Sequence, residues 1–365
     1  MIRHQALASP RVFALIVVAL LALIPFGARG QTATPSAEPA GAAVTVVGAG
    51  LTNPRGFTFG PDGTLYVALG GAPGSSAAVA AIRNGCPTAV TNPFPTGGVV
   101  FRAVTGFADV ASLDGQLYGL LAGGANNLSG PHNGLYRLDG KGGAAMVADI
   151  SVFIRDHPVA NRPGDYGASG QPYALLPMGD SFWATEGNSN QVLRLGLDGA
   201  VTRIADLSNG HPIATGIAPA PGGGAEVAFF THAPYVEGAA KVVTVAPDGT
   251  VADVWTGLTL VTALAVDANG DRYALELATG IDPNDPASVT SGTGKVVRQT
   301  GPATSVDVVT GLALPAEMHF GPDGALYVAT PAFGADNGEG MILRIDLAAG
   351  EPVAAPAAPP VPVCP

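Results

Sequence analysis

The chain has little charge and few cysteines, and each shortage excludes a class of protein. Only 12% of its residues are charged, and the formal net charge is −11. The body of the sequence contains no cluster of basic residues, so neither nucleic acid nor an anionic membrane surface is expected as a partner. The spacing of the two cysteines, Cys86 and Cys364, excludes a zinc motif. The nucleophile motif G-x-S-x-G is also absent.

Long apolar runs are scarce as well. The longest, Val12–Ile24, is too short for a membrane span. Arg3 and Arg11 precede it, and the small residues Ala28 and Gly30 follow it. This pattern predicts a secretory signal peptide over residues 1–30, with no membrane span left after cleavage. We therefore expect a secreted monomer that is extracellular, periplasmic or held at the cell surface.

What the chain has in abundance is glycine and proline, 51 and 32 residues, which punctuate short strands. Residues 51–68 read LTNPRGFTFGPDGTLYVA, and residues 314–329 repeat them closely as LPAEMHFGPDGALYVA. In both copies a Pro-Asp-Gly turn joins two strands, because proline fixes φ and glycine accepts positive φ. The aspartates of these turns are predicted to be structural. Weaker copies turn at Gly115, Asp180, Gly223 and Gly270.

Six such hairpins at intervals of about 50 residues, each followed by a second hairpin, predict one architecture. It is an all-β, six-bladed β-propeller with four-stranded antiparallel blades over residues 44–347. No long stretch has helical periodicity, so little helix is expected. The last unit lacks a fourth strand, and the N-terminal strand that begins at Val44 lacks a partner. That strand is therefore expected to complete the last blade and close the ring.

The two ends of the mature chain are rich in alanine and proline. Residues 31–43 are predicted to be a disordered linker, and residues 348–365 a polyproline-like tail. A disulfide between Cys86 and Cys364 would fasten the tail to the first blade, and two free thiols are the alternative.

A site is expected where loops enter the innermost strands and leave the second strands, since both sets of loops lie on one face of a propeller. Scarce polar groups that converge there from separate blades would suit a ligand at the mouth of the channel. The ligand-binding candidates are Arg55, Tyr173, His211, His232, Tyr235 and His319. Four oxygen-bearing residues are candidates for holding a divalent cation such as calcium: Glu186, Asn188, Glu276 and Glu317. The alternative is that these groups only hydrogen-bond the neighbouring loops.

Four blocks, in order, resemble the ScyD/ScyE family of secreted propellers: NPRGFTFGPDGTLYVA, QPYALLPMGDSFWATEGNSNQVLRLGLDG, VTVAPDGTVADVWTGLTLVTALAVDANGDRYALE and PAEMHFGPDGALYVA. The resemblance covers residues 44–347, and the wider relatives are NHL-repeat and gluconolactonase-like propellers. A clear repeat without a catalytic motif favours a binding or scaffolding protein that recognises a protein, glycan or small molecule. The wider relatives suggest two alternatives, a metal-dependent lactonase and a quinone-dependent sugar dehydrogenase. The lactonases begin their first repeat with a metal-binding glutamate, where this chain has Asn53-Pro54-Arg55-Gly56.

Overall fold

The computed structural model describes residues 43–73, 76–100, 103–124, 129–165, 167, 169–279, 289–347, 351–357 and 359–364. The predicted signal peptide and nearly all of the predicted linker lie outside the described residues. No helix within these ranges combines the length and the apolar character that crossing a membrane requires.

Six antiparallel sheets form a ring, which confirms the predicted six-bladed β-propeller. The first strand along the chain is β1 (Val44–Leu51). Blade 1 contains β2 (Pro54–Phe59), β3 (Leu65–Leu69), β4 (Ser76–Arg83) and β5 (Cys86–Ala89), with β6 (Phe94–Pro95) beside β4. The strands β7 (Gly97–Val100) and β8 (Ala103–Thr105) form a separate hairpin. Blade 2 contains β9 (Phe107–Leu113), β10 (Gln116–Leu121), β11 (Gly134–Leu138) and β12 (Ala144–Asp149), and helix α1 (Ile150–Asp156) follows.

The remaining blades continue the pattern. Blade 3 contains β13 (Pro172–Met178), β14 (Ser181–Glu186), β15 (Gln191–Gly196) and β16 (Val201–Asp206). Blade 4 contains β17 (Ala214–Pro219), β18 (Ala225–Phe229), β19 (Ala240–Val245) and β20 (Val251–Leu258). Blade 5 contains β21 (Val261–Val266), β22 (Arg272–Glu276), β23 (Gly294–Gly301) and β24 (Thr304–Leu312). Blade 6 contains β25 (Glu317–Phe320), β26 (Leu326–Thr330) and β27 (Gly340–Ile345), and β28 (Val353–Ala354) lies in the tail.

The N-terminal strand closes the ring, as predicted. Strand β1 pairs with β27, with Val44 opposite Ile345 and Leu51 opposite Gly340, so blade 6 is built from both ends of the propeller. The first strands of neighbouring blades contact one another around the centre. They are therefore the innermost strands, and their upper ends form the mouth of the channel.

The hydrophobic core is divided among the six interfaces between blades. Each interface has its own buried cluster, drawn from the facing sheets of two neighbouring blades. Phe57, for example, packs between blades 1 and 6, and Trp255 packs between blades 4 and 5. A seventh, smaller cluster around Phe230 and Leu277 lies in the loops. Because each blade buries both faces against its neighbours, the ring is stable only as a whole.

The aspartates of the Pro-Asp-Gly turns are structural, as predicted. The carboxylates of Asp62, Asp248 and Asp323 each accept a backbone N–H two residues further on, at 3.0, 2.9 and 3.2 Å. These hydrogen bonds help to lower the pKa of all three carboxyl groups. The turns lie at the ends of the strands opposite to the channel mouth, and none of these aspartates lines the mouth cavity or the inner cavity.

The tail is more ordered than its composition predicted. Val353 lies opposite Val309 in a parallel pairing of β28 with the outer edge of blade 5. Further on, Cys364 forms a disulfide with Cys86 in blade 1. The tail thus joins the two blades that flank blade 6, where the ring closes. Composition could not predict the added strand, since an edge strand pairs through backbone groups that any residue except proline supplies.

Candidate ligand-binding site

A β-bulge near the start of the innermost strand recurs in five blades. The ladder between the first and second strands breaks at Arg55, Ala108, Tyr173, Thr215 and Thr262, each the second residue of its strand. A bulge bends its strand and re-aims the side chain that it carries. The repeat therefore places one redirected side chain per blade at the same level of the channel.

These side chains surround two adjoining cavities. The larger, here called the mouth cavity, has a volume of about 170 Å³. The smaller, here called the inner cavity, has a volume of about 50 Å³. Arg55, Gln171 and Tyr173 line both cavities, so they stand at the junction. The rest of the mouth cavity is largely apolar, and its wall includes Ile213, Phe230, Leu277, Ala332 and Phe333.

Two of the bulged residues form hydrogen bonds with the neighbouring blade through their side-chain hydroxyl groups. The Thr215 hydroxyl donates to the carbonyl of Val261 in blade 5 at 2.7 Å. The Thr262 hydroxyl lies 3.3 Å from the carbonyl of Pro315, at the entry to blade 6. These bonds tie neighbouring innermost strands together. They leave Arg55, Gln171 and Tyr173 as the polar side chains best placed to meet a ligand.

Arg55 has no counter-ion among the described residues. Its guanidinium makes no ion pair or hydrogen bond with them, and the Nη2 atom is buried without a partner. Burial lowers the pKa of Arg55 from its ordinary value. By contrast, the partly buried Arg272 donates to the carboxylate of Glu226 at 2.7 Å. Within the described part of the chain, the guanidinium of Arg55 therefore has no hydrogen-bond acceptor.

Two buried carboxyl groups lie close to the inner cavity. Asp109 follows the bulge of blade 2 and accepts backbone N–H groups from Val110 and Leu175, both at 2.7 Å. A side chain at Gly56 would overlap Asp109, because a Cβ atom there would lie 1.9 Å from its Oδ1 atom. Glu317 lines the inner cavity and accepts the N–H of Met318 at 2.9 Å. Position 56 of the NPRG motif must therefore be glycine, because Asp109 of blade 2 occupies the space that a side chain would need.

Burial raises the pKa of both carboxyl groups. The pKa of Asp109 rises to about 7, although its two backbone hydrogen bonds oppose the shift. The pKa of Glu317 rises well above its usual value, first by burial and then by the like charge of Asp109. Near neutral pH the pair therefore carries less negative charge than two ordinary carboxylates.

We expect Asp109 and Glu317 to lower the free energy of unfolding as pH rises from about 4 to about 7, the pKa of Asp109. In this window the folded protein keeps protons on Asp109 and Glu317 that the unfolded chain, with carboxyl pKa values near 4, has lost. Stability then decreases by at most about 1.4 kcal/mol per pH unit and group. The Glu317→Gln variant, followed by urea denaturation across this range, should show a flatter decline. Equal slopes for the two proteins would contradict the assignment.

His319 acts with the opposite sign in the lower part of that window. Burial lowers its pKa to about 4, so the unfolded chain binds the extra proton only between about pH 4 and 6.5. Its side chain is still 42% exposed, as suits a group facing a narrow channel. It lies 4.0 Å from Glu317 and packs edge-on against Phe57. His319, predicted as a ligand-binding residue, lines neither cavity.

The other predicted ligand-binding residues fall into two groups. Arg55, Tyr173 and His211 line the mouth cavity together. His211 accepts a hydrogen bond at Nδ1 from Asn190, so its Nε2 carries the proton and lies 3.1 Å from Asp165 without a well-aligned hydrogen bond. His232 stacks on His211 at 5.5 Å between ring centres but lines a separate outer groove with Lys241. Tyr235 is buried and packs edge-on against Phe230.

The predicted metal ligands are not brought together. Glu186 is fully buried, and its carboxyl accepts the backbone N–H groups of Gln171, Asn188 and Ser189 and the Ser189 hydroxyl. Asn188 is bonded at both amide atoms, by Gly167 N–H and to the Asp165 carbonyl. Its side chain borders the mouth cavity as part of the loop wall.

The other two predicted ligands also have protein partners. Glu276 accepts the Thr259 N–H at 2.8 Å and lies 3.7 Å from the Lys295 ammonium. Glu317 lines the inner cavity but has only Asp109 as an acidic neighbour. Across the described ranges, no three His, Cys, Asp or Glu side chains form a group that could hold a metal ion. The four residues therefore do not fit a shared divalent cation.

Sequence reasoning missed Thr262, Asp165, Phe333 and Asp109. Asp109 could have been found from the sequence, since it is an acidic residue inside the apolar strand FADVASL. Thr262 could have been found by aligning the second residue of every innermost strand with Arg55. Asp165 and Phe333 come from loops outside the repeat, and no periodic pattern predicts them.

Comparison with known proteins gives the fold but no family. No protein-family model matches the chain, and no curated protein matches it significantly. Among solved structures, a putative glucose dehydrogenase from Thermus thermophilus is 18% identical with a TM-score of 0.56, covering 83% of this chain and 99% of its own. The PQQ-bound aldose sugar dehydrogenase from Streptomyces coelicolor is 14% identical with a TM-score of 0.54, covering 85% and 100%.

A gluconolactonase from Xanthomonas campestris is 15% identical with a TM-score of 0.53, covering 84% of this chain and 89% of its own. The chain therefore shares its β-propeller fold with sugar dehydrogenases and gluconolactonases. At these identities the likeness is one of fold alone.

Proposed function

We propose that the chain is an exported, monomeric propeller of the ScyD/ScyE type that binds a small organic molecule in the mouth cavity. One observation carries the proposal. The bulged residues of five blades meet at a single level, and among them Arg55 and its neighbour Gln171 offer polar atoms that the described protein does not use. A concave, mostly apolar cavity with a few convergent polar groups is the usual form of a small-molecule site.

The metal-dependent lactonase is the weaker alternative. It would need a cation at the channel, and the predicted ligands already accept hydrogen bonds from loop backbones or pair with lysine. Their donor atoms suit the structural role that buried polar groups usually have. A lactonase mechanism through Glu186 or Glu276 is therefore not supported.

The quinone-dependent dehydrogenase is supported in one respect only. Arg55 supplies a basic group, but the carboxylates do not cluster into a calcium site in the described part of the chain. The mouth cavity of about 170 Å³ is also below the roughly 300–1,000 Å³ usual for drug-sized ligands. A ligand smaller than a tricyclic quinone fits better.

Export is supported by the disulfide as well as by the N-terminal pattern. Disulfides persist in oxidising compartments and are rare in the cytosol. The bond between Cys86 and Cys364 therefore suits the periplasm, the cell surface or the extracellular space.

The proposal is tested by filling the cavity. In Gln171→Trp the indole should occupy the mouth cavity, whereas Gln171→Ala leaves it open, and the backbone bond from Gln171 to Glu186 is kept in both. Single-ring fragments, screened by saturation-transfer NMR, should bind the native protein, bind Gln171→Ala more weakly because a polar contact is lost, and fail to bind Gln171→Trp. Fragments that bind all three proteins alike would bind outside the mouth cavity and would contradict the proposal. A screen that finds no binding fragment would contradict it as well.

A further inference from the structure

The mouth cavity has one fixed positive charge at its floor, and this charge is unpaired. Arg55 projects from the bulge of β2 to the junction of the two cavities. Its Nη2 atom is buried without an acceptor. Leaving a buried guanidinium without a partner costs free energy, because it has lost water and gained nothing in return. Such a group is a place where a bound anion would be stabilised.

The protein's own carboxyl groups do not fill this role. Glu317 lines the inner cavity, but one of its oxygens is engaged with the Met318 N–H and no ion pair with Arg55 forms within 4 Å. Asp109 has both oxygens on backbone N–H groups. Tyr173 lines both cavities beside Arg55, and its hydroxyl lies 3.5 Å from the Ala316 carbonyl. No carboxylate among the described residues therefore pairs with Arg55.

The walls of the cavity restrict the rest of the ligand. Phe230, Leu277 and Phe333 give the mouth cavity an apolar part of its wall. A dry cavity of about 150 Å³ holds benzene, so about 170 Å³ accommodates a single ring with a short substituent. A ligand that bridges Arg55 and this wall has an anionic head and a compact apolar body.

The charge of the site favours a monoanion. A guanidinium presents two parallel N–H groups that match the two oxygens of a carboxylate. Arg55 is the only arginine or lysine among the described residues that line the mouth cavity, and the acidic Asp165 borders it. A phosphate dianion would leave one negative charge uncompensated beside Asp165.

Building on the proposed function, we infer that the mouth cavity binds a small carboxylic acid with one apolar ring, whose carboxylate is held by Arg55. Gln171 and Tyr173, which line the same junction, are placed to donate to the carboxylate as well. The ring lies against Phe230 and Phe333.

Isothermal titration with three matched probes tests this inference: phenylacetate, its neutral amide phenylacetamide, and phenyl phosphate. Phenylacetate should bind the native protein about 10- to 100-fold more tightly than the amide, as one charge-assisted bidentate contact predicts. Phenyl phosphate should bind more weakly than phenylacetate. Arg55→Gln should lower the affinity for phenylacetate to that for the amide. The control is Arg83→Gln, which changes net charge equally at an exposed position of the same blade and should bind like the native protein.

Each other outcome overturns a defined part of the inference. If acid and amide bind alike and Arg55→Gln changes neither, the carboxylate assignment is wrong, while binding in the mouth cavity stands. Tighter binding of phenyl phosphate would make the site a phosphate site. If no probe binds and the fragment screen also finds no ligand, both the carboxylate inference and the proposed function are wrong. Arg55→Gln removes an unpaired buried charge, so it should raise the melting temperature of the ligand-free protein. A lower melting temperature would show that Arg55 is structural.

Discussion

Replacing Cys364 with serine is expected to lower the free energy of unfolding by about 5 kcal/mol. The disulfide joins residues 278 positions apart, so it removes a large loop-closure entropy from the unfolded chain. It also holds the tail across the point where β1 closes the ring, between blade 1 and the edge of blade 5. For a chain of this size the loss corresponds to a melting temperature lower by about 10 °C.

Calorimetry of four proteins checks this expectation. Cys86→Ser, Cys364→Ser and the double variant should all lose the same amount, because each removes the same bond. Reduction of the native protein should reproduce the shift, and the variants should not respond to reductant. A loss below about 1 kcal/mol would mean that β1 and the blade interfaces hold the ring closed without the tail.

Glu186→Gln should destabilise the fold by about 3 kcal/mol or more. The Glu186 carboxyl, fully buried at the end of β14, accepts four hydrogen bonds, three of them from backbone N–H groups. An amide offers one acceptor oxygen and turns an NH₂ group toward the Ser189 donors, which leaves buried donors unsatisfied. These donors belong to loops beside the mouth cavity, so the change should also loosen the site.

The matched control is Glu351→Gln, an exposed glutamate in the tail, which should cost less than about 0.5 kcal/mol. Adding EDTA to the native protein should leave its melting temperature unchanged, since Glu186 serves loop donors rather than a cation. A drop in melting temperature with EDTA, together with mild destabilisation in Glu186→Gln, would instead favour the metal-site interpretation.

The fold could be predicted because its determinants are local and repeated. Each Pro-Asp-Gly turn fixes a hairpin through the backbone preferences of a few residues, as at Gly63 and Gly324, whose φ values are +78° and +79°. The incomplete last unit and the unpaired strand at Val44 then specify how the ring closes. The parallel pairing of Val353 with Val309 was not predictable, since it depends on where the ring leaves an open edge.

The site was predictable only in part, because its geometry arises between blades. The start of each innermost strand pointed to Arg55 and Tyr173, and both line the mouth cavity; that they bind a ligand stays a prediction. The carboxyl groups of Glu186 and Glu276 lie near the face that carries the channel mouth, yet their oxygens accept hydrogen bonds from loop backbone N–H groups. Tertiary contacts decide which side chain a bulge turns into the channel. They also decide which side chain hydrogen-bonds a loop amide, and one sequence does not reveal them.

A crystal structure of the protein with phenylacetate tests the central claim most directly. The ring should lie against Phe230 and Phe333 in the mouth cavity, with both carboxylate oxygens within hydrogen-bonding distance of the Arg55 guanidinium. Density for the compound in the outer groove beside His232 and Lys241, with the mouth cavity occupied only by water, would contradict it.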